Sequence, residues 1–307
     1  MLSRRAFIRS AALASSSLAA GILAYDIRSD SCYTGSPVLE KLTIKLTNLP
    51  RAFNGYRIGF VTDPHLGMWV PKDWIESAFE TLQRHTIDLL VLGGDYIFVS
   101  DNPIWRITGA VRNWDYADLS RAETAARAFR DFATLTSQFT FPDGIVGVAG
   151  NHDNWNSPYV FHRTMRDFPT IKLLLNEELS IVRGSESISL FGVEDYLTGI
   201  PARPPARGEA SPRTRILVSH NPDYVAELAK DDPSLFDVAL CGHTHGGQVR
   251  LPGITGLIVP IQNPDFLAGL TKTGDSFVYT SRGLGVVGLP FRFDCPPEIT
   301  LLELQQA

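Results

Sequence analysis

Five of the seven histidines in this 307-residue chain stand in short polar clusters flanked by glycine or proline. The clusters are Asp63-Pro64-His65, Gly93-Gly94-Asp95, Gly150-Asn151-His152-Asp153, Ser219-His220-Asn221-Pro222 and Gly242-His243-Thr244-His245-Gly246-Gly247-Gln248. Imidazole, carboxylate and amide oxygen without thiolate favour Mn, Fe or Zn over soft-metal or cluster chemistry. There are too many ligands for one ion, so the natural partition is two ions sharing a carboxylate. Two dications bring four positive charges, and Asp63 and Asp95 return two. A net of roughly +2 would bind a hydroxide and a phosphate group, and water bridging two such ions is a nucleophile at neutral pH.

Each cluster follows an apolar run that reads as a strand: Tyr56–Val61, Ile87–Leu92, Ile145–Ala149, Arg215–Val218 and Phe236–Leu240. Strand exits are where α/β proteins place ligand-binding groups. In an extended chain, residues i and i+2 project to the same side, which would aim Asp63 with His65, and His243 with His245, into one volume. The flanking glycines let the backbone turn and approach a ligand closely. His85, at a helix end, and His162, on a helix face, read as surface or capping residues.

Between these runs, Pro71 to His85 and Ser120 to Gln138 have helical periodicity, the second with Ala122, Ala125, Ala126, Phe129, Phe132 and Leu135 as its buried stripe. A short helix is expected near Pro158 to Phe168 and another after Pro222, ending near Lys230. Further strands are expected at Val38–Leu46, Ile171–Leu175, Leu179–Val182, Ile188–Val193 and Glu298–Leu304. Residues 200–212 are rich in proline, arginine and glycine and read as an exposed loop. The 98–119 segment carries Trp105, Trp114, Tyr116, Arg106 and Arg112; it is either a lid over a lipid or nucleotide or a plain packed insertion.

Composition is that of an ordinary globular protein, 44% hydrophobic and 20% charged. Net charge is −5, and beyond the first 25 residues 25 Lys and Arg face 33 Asp and Glu. An acidic chain is a poor general binder of nucleic acid, so no specific nucleic-acid partner is expected. Three cysteines, Cys32, Cys241 and Cys295, are too few for a disulfide scaffold, and Cys241 reads as a small buried hydrophobe.

Residues 1–33 read as a signal peptide and short linker, and 34–307 as one domain. Ser3-Arg4-Arg5-Ala6-Phe7, followed by an alanine- and serine-rich run from Ala11 to Ala24, resembles a twin-arginine export signal. That implies the twin-arginine export machinery as a partner. It places the mature protein in the periplasm or on the outer face of the cytoplasmic membrane, cleaved or kept as an uncleaved tether in peripheral membrane association.

The order Asp63-x-His65, Gly94-Asp95, Gly150-Asn151-His152-Asp153, His220, Gly242-His243-Thr244-His245 resembles the calcineurin-like metallophosphoesterase superfamily, over residues from about Tyr56 to Gln248. The run through Gln248, then Leu251-Pro252-Gly253 and Ser281-Arg282-Gly283-Leu284-Gly285, is similar to a bacterial branch of exported phosphodiesterases related to UDP-2,3-diacylglucosamine pyrophosphatases. The resemblance implies an α/β fold, a two-sheet β-sandwich flanked by helices in four α/β/β/α layers. It implies that Asp63, His65 and His245 hold one metal, that Asn151, His220 and His243 hold the second, and that Asp95 bridges the pair. His152 would contact the phosphate and protonate the leaving oxygen, with Asp153 orienting its ring. Pro64 departs from the apolar residue commoner there and should stiffen the turn.

The expected function is hydrolysis of a phosphodiester or pyrophosphate bond by in-line attack of a metal-bridging hydroxide. The alternatives are a phosphomonoesterase, or a metal-binding envelope protein without catalysis. The substrate would be a phosphorylated small molecule, a nucleotide-sugar or a lipid-linked phosphate; export argues against a cytoplasmic lipid A precursor. Arg282 and Asn221 either reach the phosphate or make ordinary loop hydrogen bonds.

Overall fold

Apolar runs alternating with amphipathic stretches fold here as parallel strands joined by crossover helices, because a strand buried on both faces needs a covering layer on each. A computed structural model of the chain describes residues 37–67, 69–99, 120–208, 214–250, 261–289 and 291–307. The expected signal segment, Cys32, residues 251–260 and nearly all of the 98–119 insertion lie outside the described residues.

The first sheet contains β1 (Val38–Leu46), β2 (Tyr56–Val61), β4 (Leu89–Leu92), β6 (Ile145–Gly147), β7 (Ile171–Leu173) and β14 (Glu298–Gln306). Their order is β1-β14-β2-β4-β6-β7, parallel except between β14 and β2. The second sheet contains β8 (Glu177–Arg183), β9 (Glu186–Gly192), β10 (Thr214–Val218), β11 (Val238–Cys241), β12 (Gly269–Thr273) and β13 (Ser276–Thr280). Its order is β12-β13-β11-β10-β9-β8, with antiparallel pairs at both edges and a parallel centre. A small parallel pair, β3 (Leu66–Gly67) and β5 (Ile97–Phe98), links the chain just beyond His65 to the chain just beyond Asp95.

The two large sheets face each other across one core. Ile58, Phe60, Leu89, Val91 and Val146 of the first meet Ile188, Leu190, Ile216, Val218, Val238 and Leu240 of the second. Each such side chain, fully buried, contributes about 1.5–3 kcal/mol of transfer free energy. The alternate residues Leu90 and Leu92 are equally buried on the opposite face. On that side α1 (Lys72–Gln83), α2 (Arg121–Thr136) and α4 (Pro158–Asp167) pack through Phe79, Phe129, Phe132 and Phe161. On the outer face of the second sheet, Val225 and Leu228 of α5 (Pro222–Asp231) pack on Leu217, Ala239 and Val278. The result is the expected α/β/β/α layering.

The helix boundaries follow from their caps. Ser120 and Glu123 form a reciprocal capping box at the start of α2, and Asn221 accepts a bond from Asp223 N at the start of α5. Two expectations for α2 need correction: Ala122 is exposed and Ala126 half-buried, while Thr124, Ala128 and Ala133 are buried. A further short helix, α3 (Asn151–Asn156), begins where the sequence reads only as a strand-exit loop.

Cys241 and Cys295 are both free and buried. Among the described residues, no helix is long and apolar enough to cross a membrane.

Candidate metal centre

Five parallel strands, three in one sheet and two in the other, end at the same edge of the sandwich. Asp63 and His65 follow β2, Asp95 follows β4, Asn151 opens α3 just after β6, His220 follows β10, and His243 and His245 follow β11. All seven expected ligands therefore converge from loops that lie far apart in the chain.

Their backbone is not the extended one that same-side alternation assumes. Asp63, His65, Asp95, His243 and His245 all have positive φ, between 48° and 70°. Non-glycine residues rarely adopt this left-handed region, and such strain concentrates at functional sites. Here the surrounding hydrogen bonds impose it. Asp63 N donates to Gly94 O at 3.0 Å, His65 N to Asp95 O at 3.1 Å, and His243 N to the Asp63 carboxylate at 3.1 Å. Convergence of the ligands thus comes from bent, cross-tied loops.

Two groups of donor atoms result, each with its atoms within 4.8 Å of one another: Asp63, His65 and His245, and Asp95, His220 and His243. The Nε2 atoms of His65 and His245 stand 3.0 Å apart, and His245 Nε2 lies 3.3 Å from Asp63 Oδ1. Bonds of about 2.1 Å to one ion put neighbouring ligand atoms roughly 3.0–3.4 Å apart, so these spacings are edges of a coordination polyhedron. In the second group His243 Nδ1 is 2.8 Å from Asn151 Oδ1. Asp95 Oδ2 lies between the groups, 3.5 Å from His65 Nε2 and 3.2 Å from His220 Nε2. That is the position of a shared carboxylate.

The residues fit two divalent ions by an independent criterion. His220 Nε2 is buried and forms no well-aligned hydrogen bond among the described residues, although Asp95 Oδ2 stands 3.2 Å away. Buried polar atoms are nearly always satisfied, and a metal satisfies an imidazole nitrogen. The opposite ring nitrogens are fixed: His220 Nδ1 lies 2.7 Å from Gly93 O and His65 Nδ1 lies 3.4 Å from Ile97 O. A ring N–H donated to a carbonyl leaves the other nitrogen free to ligate.

Charge states agree for His65 and His243. Burial pulls His65 and His243 down to about 3, so both are neutral at pH 7, the form that binds metal. Burial would also lower His220, but the Asp95 and Asp63 carboxylates hold it well above its usual value. Burial pushes Asp63 up to about 6. A cluster whose acids and bases perturb one another this strongly gains from cations placed between them.

His152 stands apart from the ligands. Its backbone N–H donates to Asp95 Oδ1 at 2.7 Å, and its ring packs edge-on against His65 at 5.0 Å between centroids. It is half-buried, as is His243, whereas Asp63, His65, Asp95, Asn151, His220 and His245 are buried. Asp153 does not orient its ring. The Asp153 carboxylate instead accepts backbone N–H bonds from Asp95 at 2.9 Å, Tyr96 at 2.9 Å and Gly150 at 2.8 Å. Asp153 occupies the first turn of α3, and these bonds tie the Asp95 loop to that helix. Arg282 pairs with Glu298 at 2.6 Å and Asn221 caps α5, so both make structural bonds.

Sequence reading missed Arg292. Its guanidinium lies 3.2 Å from His245 Nδ1 and donates to the carbonyls of Arg282, Gly283, Gly285, His245 and Cys295. Its carbonyl partners lie three to ten positions away except for His245, 47 positions away, and that distant contact is the one no motif spacing marks. The cysteine of the same loop, Cys295, donates to His245 O at 3.2 Å.

Residues 56–247 match the family model for calcineurin-like phosphoesterases. The chain belongs to that family. It is 30% identical to phosphodiesterase YaeI of Escherichia coli over 81% of this chain and 82% of that protein. It is 29% identical to the uncharacterized metallophosphoesterase YkuE of Bacillus subtilis, covering 86% and 84% respectively. The UDP-2,3-diacylglucosamine pyrophosphatase LpxG of Chlamydia muridarum is 28% identical, over 87% of this chain and 89% of that protein. Calcineurin-like phosphoesterases are hydrolases, and the two donor groups are where this one can bind its metals.

Proposed function

We propose that this calcineurin-like phosphoesterase hydrolyses phosphodiester or pyrophosphate bonds at the centre formed by Asp63, His65, Asp95, Asn151, His220, His243 and His245. The observation that carries the reading is the placement of Asp95 Oδ2 between His65 and His220, which joins two ligand groups into one dinuclear site. Two divalent ions held there would neutralise phosphate charge and lower the pKa of water to near neutrality. The donor set suits Mn, Fe or Zn.

The chain's own residues then divide the work. Asp63, His65 and His245 hold one side of the centre; Asn151, His220 and His243 hold the other; Asp95 spans both. His152, half-buried, holds a proton over the leaving oxygen. Burial depresses its pKa, and an adjacent phosphate anion would raise it again, so it is poised to take up a proton on substrate binding and release it on cleavage. Asp153 keeps the Asp95 loop and α3 in register, which sets the distance between the bridging carboxylate and the acid.

Hydrolysis of bis-(p-nitrophenyl) phosphate by chelator-treated protein reloaded with Mn, Fe or Zn tests the reading. Turnover with at least one metal is expected; none with any of the three would leave the silent metal-binding protein as the better account. p-Nitrophenyl phosphate run in parallel decides between diesterase and monoesterase. The substrate class follows the relatives: a phosphorylated small molecule, nucleotide-sugar or lipid-linked phosphate. The Arg4-Arg5 leader supports export by the twin-arginine machinery, to the periplasm or the outer face of the cytoplasmic membrane.

A further inference from the structure

Next to the metal centre, the described residues line an open cleft of about 500 Å³. Its walls include Ala149 at the exit of β6, Asn154 and Trp155 of α3, and Glu194, Asp195 and Thr198 of the loop after β9. This volume is within the roughly 300–1,000 Å³ of small-molecule pockets.

Asp195 is 1% exposed, and its two oxygens are treated differently by the fold. Oδ2 accepts from Leu197 N at 3.0 Å, Thr198 N at 2.9 Å and Thr198 Oγ1 at 2.7 Å. Oδ1 has no partner among the described residues. A single oxygen suffices to hold the turn, so the second is an acceptor in want of a donor, and leaving it so is costly. None of the seven proposed ligands uses it. Glu194 supplies a second carboxylate on the same wall, with Oε2 accepting from Ile200 N at 2.8 Å.

Trp155 connects this wall to the chemistry. Its indole is 54% exposed and meets the His152 ring edge-on, 5.1 Å between centroids. Exposed tryptophans beside polar groups suit ligands with one flat apolar face and a polar rim. The proton donor thus stands at one edge of an aromatic surface that continues into the cavity.

We propose that this cavity binds the alcohol portion of the phosphodiester, and that this portion is a sugar or a similar polyol. The proposal rests on the hydrolase reading above. Two carboxylates repel a further phosphate and demand hydrogen-bond donors. Asn154 and His162, which share the lining, can also donate, and a hydroxyl satisfies both kinds of partner. A quaternary ammonium headgroup such as choline neither donates nor accepts a hydrogen bond at its nitrogen. The sugar's apolar face lies on Trp155 while its hydroxyls face the wall that carries Glu194 and Asp195.

The test compares kcat/KM for three diesters in the metal-loaded protein: the methyl ester of glucose 1-phosphate, the methyl ester of phosphorylcholine, and bis-(p-nitrophenyl) phosphate. Preference for the glucosyl over the choline ester by about ten-fold or more is expected. Asp195→Asn and Trp155→Ala should each lower kcat/KM for the glucosyl ester at least ~10-fold more than for bis-(p-nitrophenyl) phosphate. Glu194→Gln replaces Asp195→Asn if thermal unfolding shows that variant to be misfolded. Preference for the choline ester overturns the proposal. So does an equal loss on both substrates, which would place Asp195 with His152 rather than with the sugar. If no diester turns over, the hydrolase reading has failed, and fluorescence quenching by the glucosyl ester decides the cavity separately. Quenching that vanishes in Trp155→Phe supports it, and no Trp155-dependent quenching overturns it.

Discussion

His65 and His245 point their Nε2 atoms at each other across 3.0 Å, with the two rings stacked 4.9 Å apart. Burial and its neighbour His65 keep His245 well below its normal pKa, so two neutral, buried imidazoles face one another. One N–H could bridge them, but a shared ion satisfies both nitrogens together with Asp63. Elemental analysis of the purified protein should therefore show two ions per chain. His245→Ala and His220→Ala should each lose one, and Asp95→Asn should weaken both. Each substitution should reduce turnover by more than about 100-fold.

Removing the metals should destabilise the fold as well as stop the reaction, because ions that bind the assembled ligands of the folded chain favour it over the unfolded one. Thermal unfolding with and without a chelator checks this. The midpoint should fall on chelation and return when metal is restored.

His152 makes none of the close donor-atom contacts that define the two groups. His152→Ala should retain both ions and slow turnover by roughly 10²–10⁴-fold for diesters with poor leaving groups. Substrates that release p-nitrophenolate, which needs no proton, should be affected much less. Full activity of the variant on an alkyl diester would remove His152 from the proposed role.

Gly150 and Asp95 are packed so closely that a Cβ at 150 would collide with the Asp95 carboxylate and backbone N. Gly242 stands in the same relation to Thr62 Oγ1 and Asp63 Oδ2. Gly150→Ala and Gly242→Ala should each displace a ligand carboxylate, with a stability loss of about 1–3 kcal/mol and weaker metal binding. Denaturant titration and metal titration of the two variants measure these effects.

Arg292 holds the carbonyls of the 282–285 turn together behind His245. A lysine cannot reproduce that planar fork, so Arg292→Lys should not rescue the site. Metal affinity at the Asp63–His65–His245 group should drop by about 10–100-fold, as for other residues that orient a ligand. Titration with Mn or Zn against the unchanged protein gives the comparison.

Glu298 is 2% exposed and is neutralised by Arg282 at 2.6 Å, with Tyr279 Oη donating to its other oxygen at 2.8 Å. Removing the cation alone leaves a buried charge. Arg282→Met should cost about 3 kcal/mol, and the double variant Arg282→Met, Glu298→Leu should recover most of it. At this chain size the single substitution should lower Tm by roughly 6–12 °C.

The sequence by itself determined the ligand types, their order and their place at the ends of apolar strands. Metal chemistry restricts the usable side chains, and a buried parallel strand leaves a plain hydrophobic signature in the chain. It likewise determined the main helices, through caps such as Ser120 with Glu123. Only the tertiary structure decided how those ligands converge. Asp63 and His243 are 180 positions apart, and the bond between them requires two loops from different sheets and left-handed backbone at both. The same holds for Asp153, whose carboxylate ties down the Asp95 loop 57 and 58 positions away, and for Arg292, which reaches His245 across 47 positions. Periodicity and spacing encode what a residue does to its own segment. Contacts between distant segments exist only once the two sheets have closed on their common core.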